Sequence, residues 1–157
     1  MSIQIAHARP GDADSVATLV EELLREIMVV VKDKVFDFHH DDIVVRAHSW
    51  LKDGLYTVLL VYEGSEPVRF LALYQSYALY TEGAYGTISE FYVRPAHRSN
   101  GIGTALLSEA KRVGQAKGWR RLEVTTPPLP QFERTLAFYE REGFSISGGR
   151  KLKLELS

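Results

Sequence analysis

The chain has 157 residues, 45% hydrophobic and 25% charged, with 19 basic and 20 acidic side chains and a formal net charge of −1. That suits a single domain over residues 1–157, able to bury roughly 70% of its unfolded surface and lacking the charge excess that draws a protein to nucleic acid or an anionic membrane. The absence of cysteine excludes a disulfide framework, a thiolate nucleophile and a cysteine-based zinc site, and the apolar run near Leu55–Tyr62 is far short of the ~20 residues of a membrane span, so a cytoplasmic location is expected.

In chain order, Ile3–Ala8 is predicted as a strand, and Arg9-Pro10-Gly11-Asp12 as a turn delivering Asp12 as N-cap to a helix with the apolar stripe Val16, Leu19, Val20, Leu23 and Ile27. The Val29-Val30-Val31 run disfavours further helix by χ1 crowding. A second helix fits from about Asp41 to Leu51, with Val44, Ala47, Trp50 and Leu51 inward and Gly54 ending it. Tyr56–Tyr62 and Val68–Tyr74 have strand composition and are joined by the hairpin turn Glu63-Gly64-Ser65-Glu66-Pro67, after which Ala84–Val93 supplies another strand. A helix from Gly101 to about Lys117 shows Ile102, Ala105, Leu106, Ala110 and Val113 on one face and closes at Gly118. Arg121–Thr125 is a strand, about Gln131–Glu142 a helix ending at Gly143, and the last strand alternates Leu152, Leu154 and Leu156 against Lys151, Lys153 and Glu155. The predicted order is β-α-α-β-β-β-α-β-α-β-β, an α/β fold with a mixed, mostly antiparallel sheet flanked by helices.

The chemistry concentrates in Ile88–Leu107, where an apolar strand runs through Arg98-Ser99-Asn100-Gly101-Ile102-Gly103 into a helix. Small residues leave backbone N–H groups pointing outward, and the helix adds its unpaired N-terminal donors and the positive end of its dipole, which suits a pyrophosphate. A dinucleotide fingerprint fails because Leu106 stands where a third small residue is needed, and no Walker string occurs. What remains, Arg-x-x-Gly-x-Gly after Ile88-Ser89-Glu90-Phe91-Tyr92-Val93-Arg94-Pro95, resembles the acetyl-CoA-binding motif of the GNAT superfamily of acyl-CoA-dependent N-acyltransferases. Leu136-Ala137-Phe138-Tyr139-Glu140-Arg141-Glu142-Gly143-Phe144 is similar to the last helix of that family. The likeness runs from about Thr57 onward; the first two helices match only in length and position.

The resemblance implies a GNAT-like fold and an N-acetyltransferase that moves acetyl from acetyl-CoA to a primary amine by direct attack in a ternary complex. A noncatalytic acyl-CoA-binding or sensing domain is the alternative. It implies that the pantetheine arm lies between splayed fourth and fifth strands, along Phe91, Tyr92 and Val93, with the Val93 amide holding pantetheine or polarising the thioester. It places Arg98, Ser99, Asn100, Gly101, Ile102, Gly103 and Thr104 at the pyrophosphate. Glu90 matches the family's general base, with Glu123 as substitute, and Tyr139 its general acid. The acceptor is a small or protein amine, no metal is called for, and a homodimer is the assembly many relatives form. The chain departs from the family at Phe132 and Thr135, where relatives often carry Asn and Ala, so Thr125 or Thr126 is expected to replace a missing polar contact.

Tyr74, Tyr77, Tyr80 and Tyr85, with Tyr56 and Phe36, suit an acceptor pocket or, equally, packing or a dimer surface. Asp33, Asp37, Asp41 and Asp42 favour either a cationic acceptor or a helix N-terminus. Lys111, Arg112, Lys117, Arg120 and Arg121 suit either an anionic cofactor or a solvated face. The adjacent pair His39 and His40 faces two ways and lacks the spacing of helical metal ligands.

Overall fold

Short apolar strands with tight turns between them dictate a meander, and the computed structural model, which describes residues 4–98 and 101–156 apart from the Ile102 side chain, builds one. Its elements are β1 (Ala6–His7), α1 (Ala13–Val31), α2 (His40–Lys52), β2 (Thr57–Glu63), β3 (Glu66–Ala78), β4 (Gly83–Val93), α3 (Ile102–Ala116), β5 (Leu122–Val124) and α4 (Glu133–Arg141). The chain divides into two compact units, residues 1–125 and 126–157. The first holds a five-stranded sheet in the order β1-β2-β3-β4-β5, antiparallel except where β4 pairs β5.

Burial on both sides explains the continuous apolar run of β2. On one face Val58, Leu60, Phe70, Ala72 and Tyr92 pack with Val16 and Leu19 of α1. On the other, Leu59, Leu71 and Leu73 are fully buried, as are Leu106 and Leu107 of α3. The His7 ring, in register with Leu59, meets Glu109 of α3 at 2.8 Å, which fixes α3 on that second face.

Asp12 precedes α1 as expected, yet its carboxylate does not cap it; one oxygen accepts the Arg9 N–H at 2.8 Å and the other the Tyr62 hydroxyl at 2.9 Å. The helix also runs through Val29-Val30-Val31, where the sequence predicts a stop, and ends at Lys32 in the left-handed region (φ 56°). Each valine costs only ~0.5 kcal/mol of helix propensity, less than a helix already anchored by Ile27 and Leu19 supplies.

The second unit holds α4. Its apolar face is organised by Tyr139, which is buried and meets Phe138 and Phe144 edge-on at 5.5 and 5.4 Å. The two strands predicted after this helix do not form among the described residues: 144–156 carry no strand, and Leu152, Leu154 and Leu156 are exposed. Alternation gives a segment a face but not a partner, and no second strand in this unit offers its backbone one.

Candidate active site

One irregularity in the β3–β4 ladder builds the site. Ala72 pairs Glu90 but Leu73 pairs Ile88, so Ser89 is an extra residue bulged out of β4. Residues opposite one another share a face, so the bulge sends Ile88 toward α3 and Glu90 toward α1 and α2. A regular strand would have put both on one side, since they are two residues apart.

There Glu90 meets a cavity of about 440 Å³ lined by α1, α2, the 35–38 connection and the sheet. Burial pushes the Glu90 carboxyl above its usual range, while the Ser89 hydroxyl, which donates to Oε2, pulls it partly back. Tyr56 stands beside it, its hydroxyl bonded to Ser89 and its pKa pushed up to about 12 by burial and then by the Glu90 charge. Its ring stacks between Trp50 at 5.0 Å and Tyr74 at 5.3 Å. A carboxyl whose pKa is raised by burial beside an apolar cavity is suited to taking a proton.

The other predicted site residues lie further along the same strand. β5 pairs β4 only over Gly86–Ile88, so beyond Ile88 that edge of β4 has no strand beside it among the described residues. The Arg94 N–H reaches back to the Val68 carbonyl on β3, so alternation turns the backbone groups of Phe91 and Val93 toward the opened edge. There the Val93 carbonyl accepts Nε of Arg98 at 2.8 Å. Tyr92 faces the α1 side, buried, its hydroxyl donating to Glu22 at 3.2 Å and its pKa pushed up to about 12 chiefly by burial.

Arg98 also donates to Glu26 of α1 at 2.7 Å and lies over the Tyr92 ring, so its guanidinium pins the loop to the body of the unit. Arg94 does the same through Glu22 at 2.8 Å and Glu66 at 3.3 Å. Ser99 and Asn100 lie outside the described residues, as does the Ile102 side chain. Gly101 is the residue before α3 and adopts φ 78°; a Cβ there would find open space, so the backbone conformation is what demands glycine. The Ala105 N–H closes the first helical bond onto Gly101 at 3.3 Å, which leaves the N–H groups of Gly103 and Thr104 with no carbonyl within the helix. Such donors on a left-handed turn fit the phosphates of coenzyme A.

Glu123, the substitute base, is held by Arg121 at 2.6 Å. Arg121 also lies over Tyr80 and Tyr85, Arg120 meets Glu82 and Arg112 meets Glu109, so these basic side chains are paired with acids at the surface. The tyrosines therefore divide: Tyr56 lines the cavity with Phe36 and Trp50, while Tyr77 and Tyr80 are exposed. Asp37 reaches the cavity; Asp41 and Asp42 occupy the first turn of α2. His40 bridges Glu21 (2.7 Å) and Asp14 (2.8 Å) of α1. Sequence reasoning missed the Tyr56–Ser89 pair, since a bulge leaves no compositional mark; the aromatic loop Val35-Phe36-Asp37-Phe38 was a visible signal of the cavity. In the second unit, burial raises the Tyr139 phenol well above its ordinary range, so it stays protonated at all working pH values.

The family model described as "Acetyltransferase (GNAT) family" matches residues 19–144. Among solved structures, the integron cassette protein HFX_CASS3 from the mobile metagenome of Cole Harbour salt marsh is 28% identical, with a TM-score of 0.79 over 98% of this chain and 91% of that one. A possible acetyltransferase from Clostridium difficile 630 is 16% identical, with a TM-score of 0.80 over 100% and 99% of the two chains. Aminoglycoside N-acetyltransferase AAC(6')-Iy in complex with CoA is 13% identical, with a TM-score of 0.79 over 98% and 95%. At such identities these last two show the fold alone. No curated protein matches the chain.

Proposed function

We propose that this chain, which belongs to the acetyltransferase (GNAT) family, transfers acetyl from acetyl-CoA to a primary amine by direct attack, with Glu90 as general base and Tyr139 as donor to the departing sulfur. The observation that carries the reading is Glu90: a carboxyl raised by burial, facing a cavity, on the strand whose further end opens an edge beside a helix N-terminus.

An amine attacks only when neutral, roughly one part in a thousand near pH 7 for a lysine-like group. Glu90 takes the proton as nitrogen bonds to the acyl carbon, and its raised pKa makes it a better base than an ordinary glutamate. Acetyl-CoA supplies the thioester, whose C–S bond breaks as the C–N bond forms. The Val93 amide on the opened edge serves the pantetheine arm, and Gly101, Gly103 and Thr104 offer N–H groups to the phosphates. Tyr139 keeps its proton at neutral pH and, with its pKa pushed up, steadies the departing thiolate by donating a hydrogen bond; the thiolate takes its proton from solvent, and Glu90 gives the amine's proton back to solvent.

Calorimetric titration of acetyl-CoA into the full chain tests the reading, with Gly103→Trp as control and thiol release as the rate assay, clean here because the protein has no cysteine. Micromolar binding abolished in the control is expected. Tyr139→Phe should lower kcat about 10- to 100-fold with acetyl-CoA affinity unchanged. A folded protein that binds no acetyl-CoA overturns the transferase reading.

A further inference from the structure

We infer that the acceptor is a small primary amine carrying one positive charge and an apolar, aromatic body, bound in the cavity in front of Glu90. The inference rests on the acetyltransferase reading above and names the substrate class of that same site. Its first support is chemical. Apart from Glu90, Asp37, Arg46, the Tyr56 hydroxyl and the Trp50 indole N–H, the side chains lining the cavity are hydrocarbon or plain aromatic. Asp37 and Arg46 are exposed residues of opposite sign at its rim, so with Glu90 ionised the lining carries a single net negative charge, which one ammonium neutralises.

The second support is desolvation. The cavity, about 440 Å³, lies within the ordinary range for a small-molecule site, so the chemistry of its wall does the selecting. A polyol or polyamine would strip water from hydroxyls and further ammonium groups with few polar side chains in the wall to replace it. Some structural neighbours are named as aminoglycoside acetyltransferases, and this cavity lacks the carboxylates that a polycation needs.

The third support is the unfinished aromatic surface. Trp50 and Phe36 keep 37% and 36% of their surface exposed although both line the cavity, and α2, which carries Trp50, buries none of its residues. The part of the Trp50 indole left exposed beside its stack on Tyr56 is the place for a ring, and the Tyr56–Ser89–Glu90 array next to it is the place for the amine.

The test is thiol release by the full chain with acetyl-CoA and three acceptors: 2-phenylethylamine, spermidine and kanamycin. A kcat/KM at least 100-fold higher for 2-phenylethylamine is expected. Trp50→Ala should raise its KM about tenfold with kcat little changed, and Trp50→Phe should restore most of the loss. Should either variant fold poorly, Phe36→Ala on the 35–38 connection reads the same wall. Preference for spermidine or kanamycin, or a Trp50→Ala effect equal for all three amines, overturns the inference and leaves acetyl transfer standing. Acetyl-CoA binding without transfer to any amine instead removes the transferase reading, and this inference with it.

Discussion

The two faces of the sheet in the first unit are built from similar residues and closed in opposite ways. Toward α3, leucines from β2, β3 and the helix interlock with no exposure, and Trp119 lies so close to Gly86 that a Cβ there would stand 2.4 Å from two ring atoms. Toward α1 and α2, the sheet is sealed where α1 crosses it; α2 meets the core through the partly buried Ala47 and Leu51, and the space beside them is the cavity. One face is closed for stability and the other is held open for chemistry, which is why a desolvated carboxyl, Glu90, is tolerated on the second.

The strongest way to break the comparison is Glu90→Gln. Losing a general base costs ~10²–10⁴-fold in kcat, with acetyl-CoA binding retained. Stability should move the other way. A carboxyl whose folded pKa is raised leaves the fold unpenalised below its unfolded pKa, and the fold loses stability as pH rises from there to the folded pKa, above which the loss is complete. The variant should therefore melt higher than the parent at pH 7 and equally at pH 4. The parent's kcat/KM should fall on the acid side at a pH above the ordinary carboxylate range. A variant that loses both activity and melting temperature at pH 7 would make Glu90 a structural residue.

Gly86→Ala is the matching blow to the closed face. The Leu122 methyl, 2.7 Å from such a Cβ, can turn aside, but the Trp119 indole cannot, because it is fixed by a 2.7 Å bond from Nε1 to Gln75 and backed by Gly114. The expected cost is about 2–3 kcal/mol, a fall of roughly 4–12 °C in Tm for a protein of this size, with kcat near that of the parent until the protein melts. Thermal denaturation followed by circular dichroism decides it. An unchanged Tm would mean that the α3 face has slack.

How much of this was legible beforehand differs by face too. α3 and its glycines could be located from the sequence because an apolar stripe between Gly101 and Gly118 leaves few other arrangements, and β2 to β4 because their turns are explicit. The cavity face was harder. Glu90 stood out by family likeness, but its direction depends on the Ser89 bulge, a two-against-one pairing that only the partner strand reveals. Val29-Val30-Val31 misled because propensity is weak against tertiary packing, and Leu152-Lys153-Leu154 because a strand's pattern says nothing about whether an edge awaits it.

α2 packs on the core through the partly buried Ala47 and Leu51 but buries none of its residues fully, a weaker apolar anchor than α3 has, and His40 is placed to add a polar one to α1. Its ring meets Asp14 and Glu21 on α1, and those hydrogen bonds, Asp14 first, raise its pKa above the usual histidine value. Glu21 is itself buried, with Arg25 at 3.8 Å as its other cation. For a base raised in this way the stabilisation is complete below the unfolded pKa near 6.5 and disappears as pH climbs through the folded value. The clamp is partly exposed, so its contribution should be about 1 kcal/mol at most. His40→Ala is therefore expected to lower Tm by roughly 2–4 °C at pH 6 and by almost nothing at pH 9, where the parent has lost the same contribution. An equal deficit at both pH values would mean that the ring acts by packing, and that α2 is docked like α3 after all.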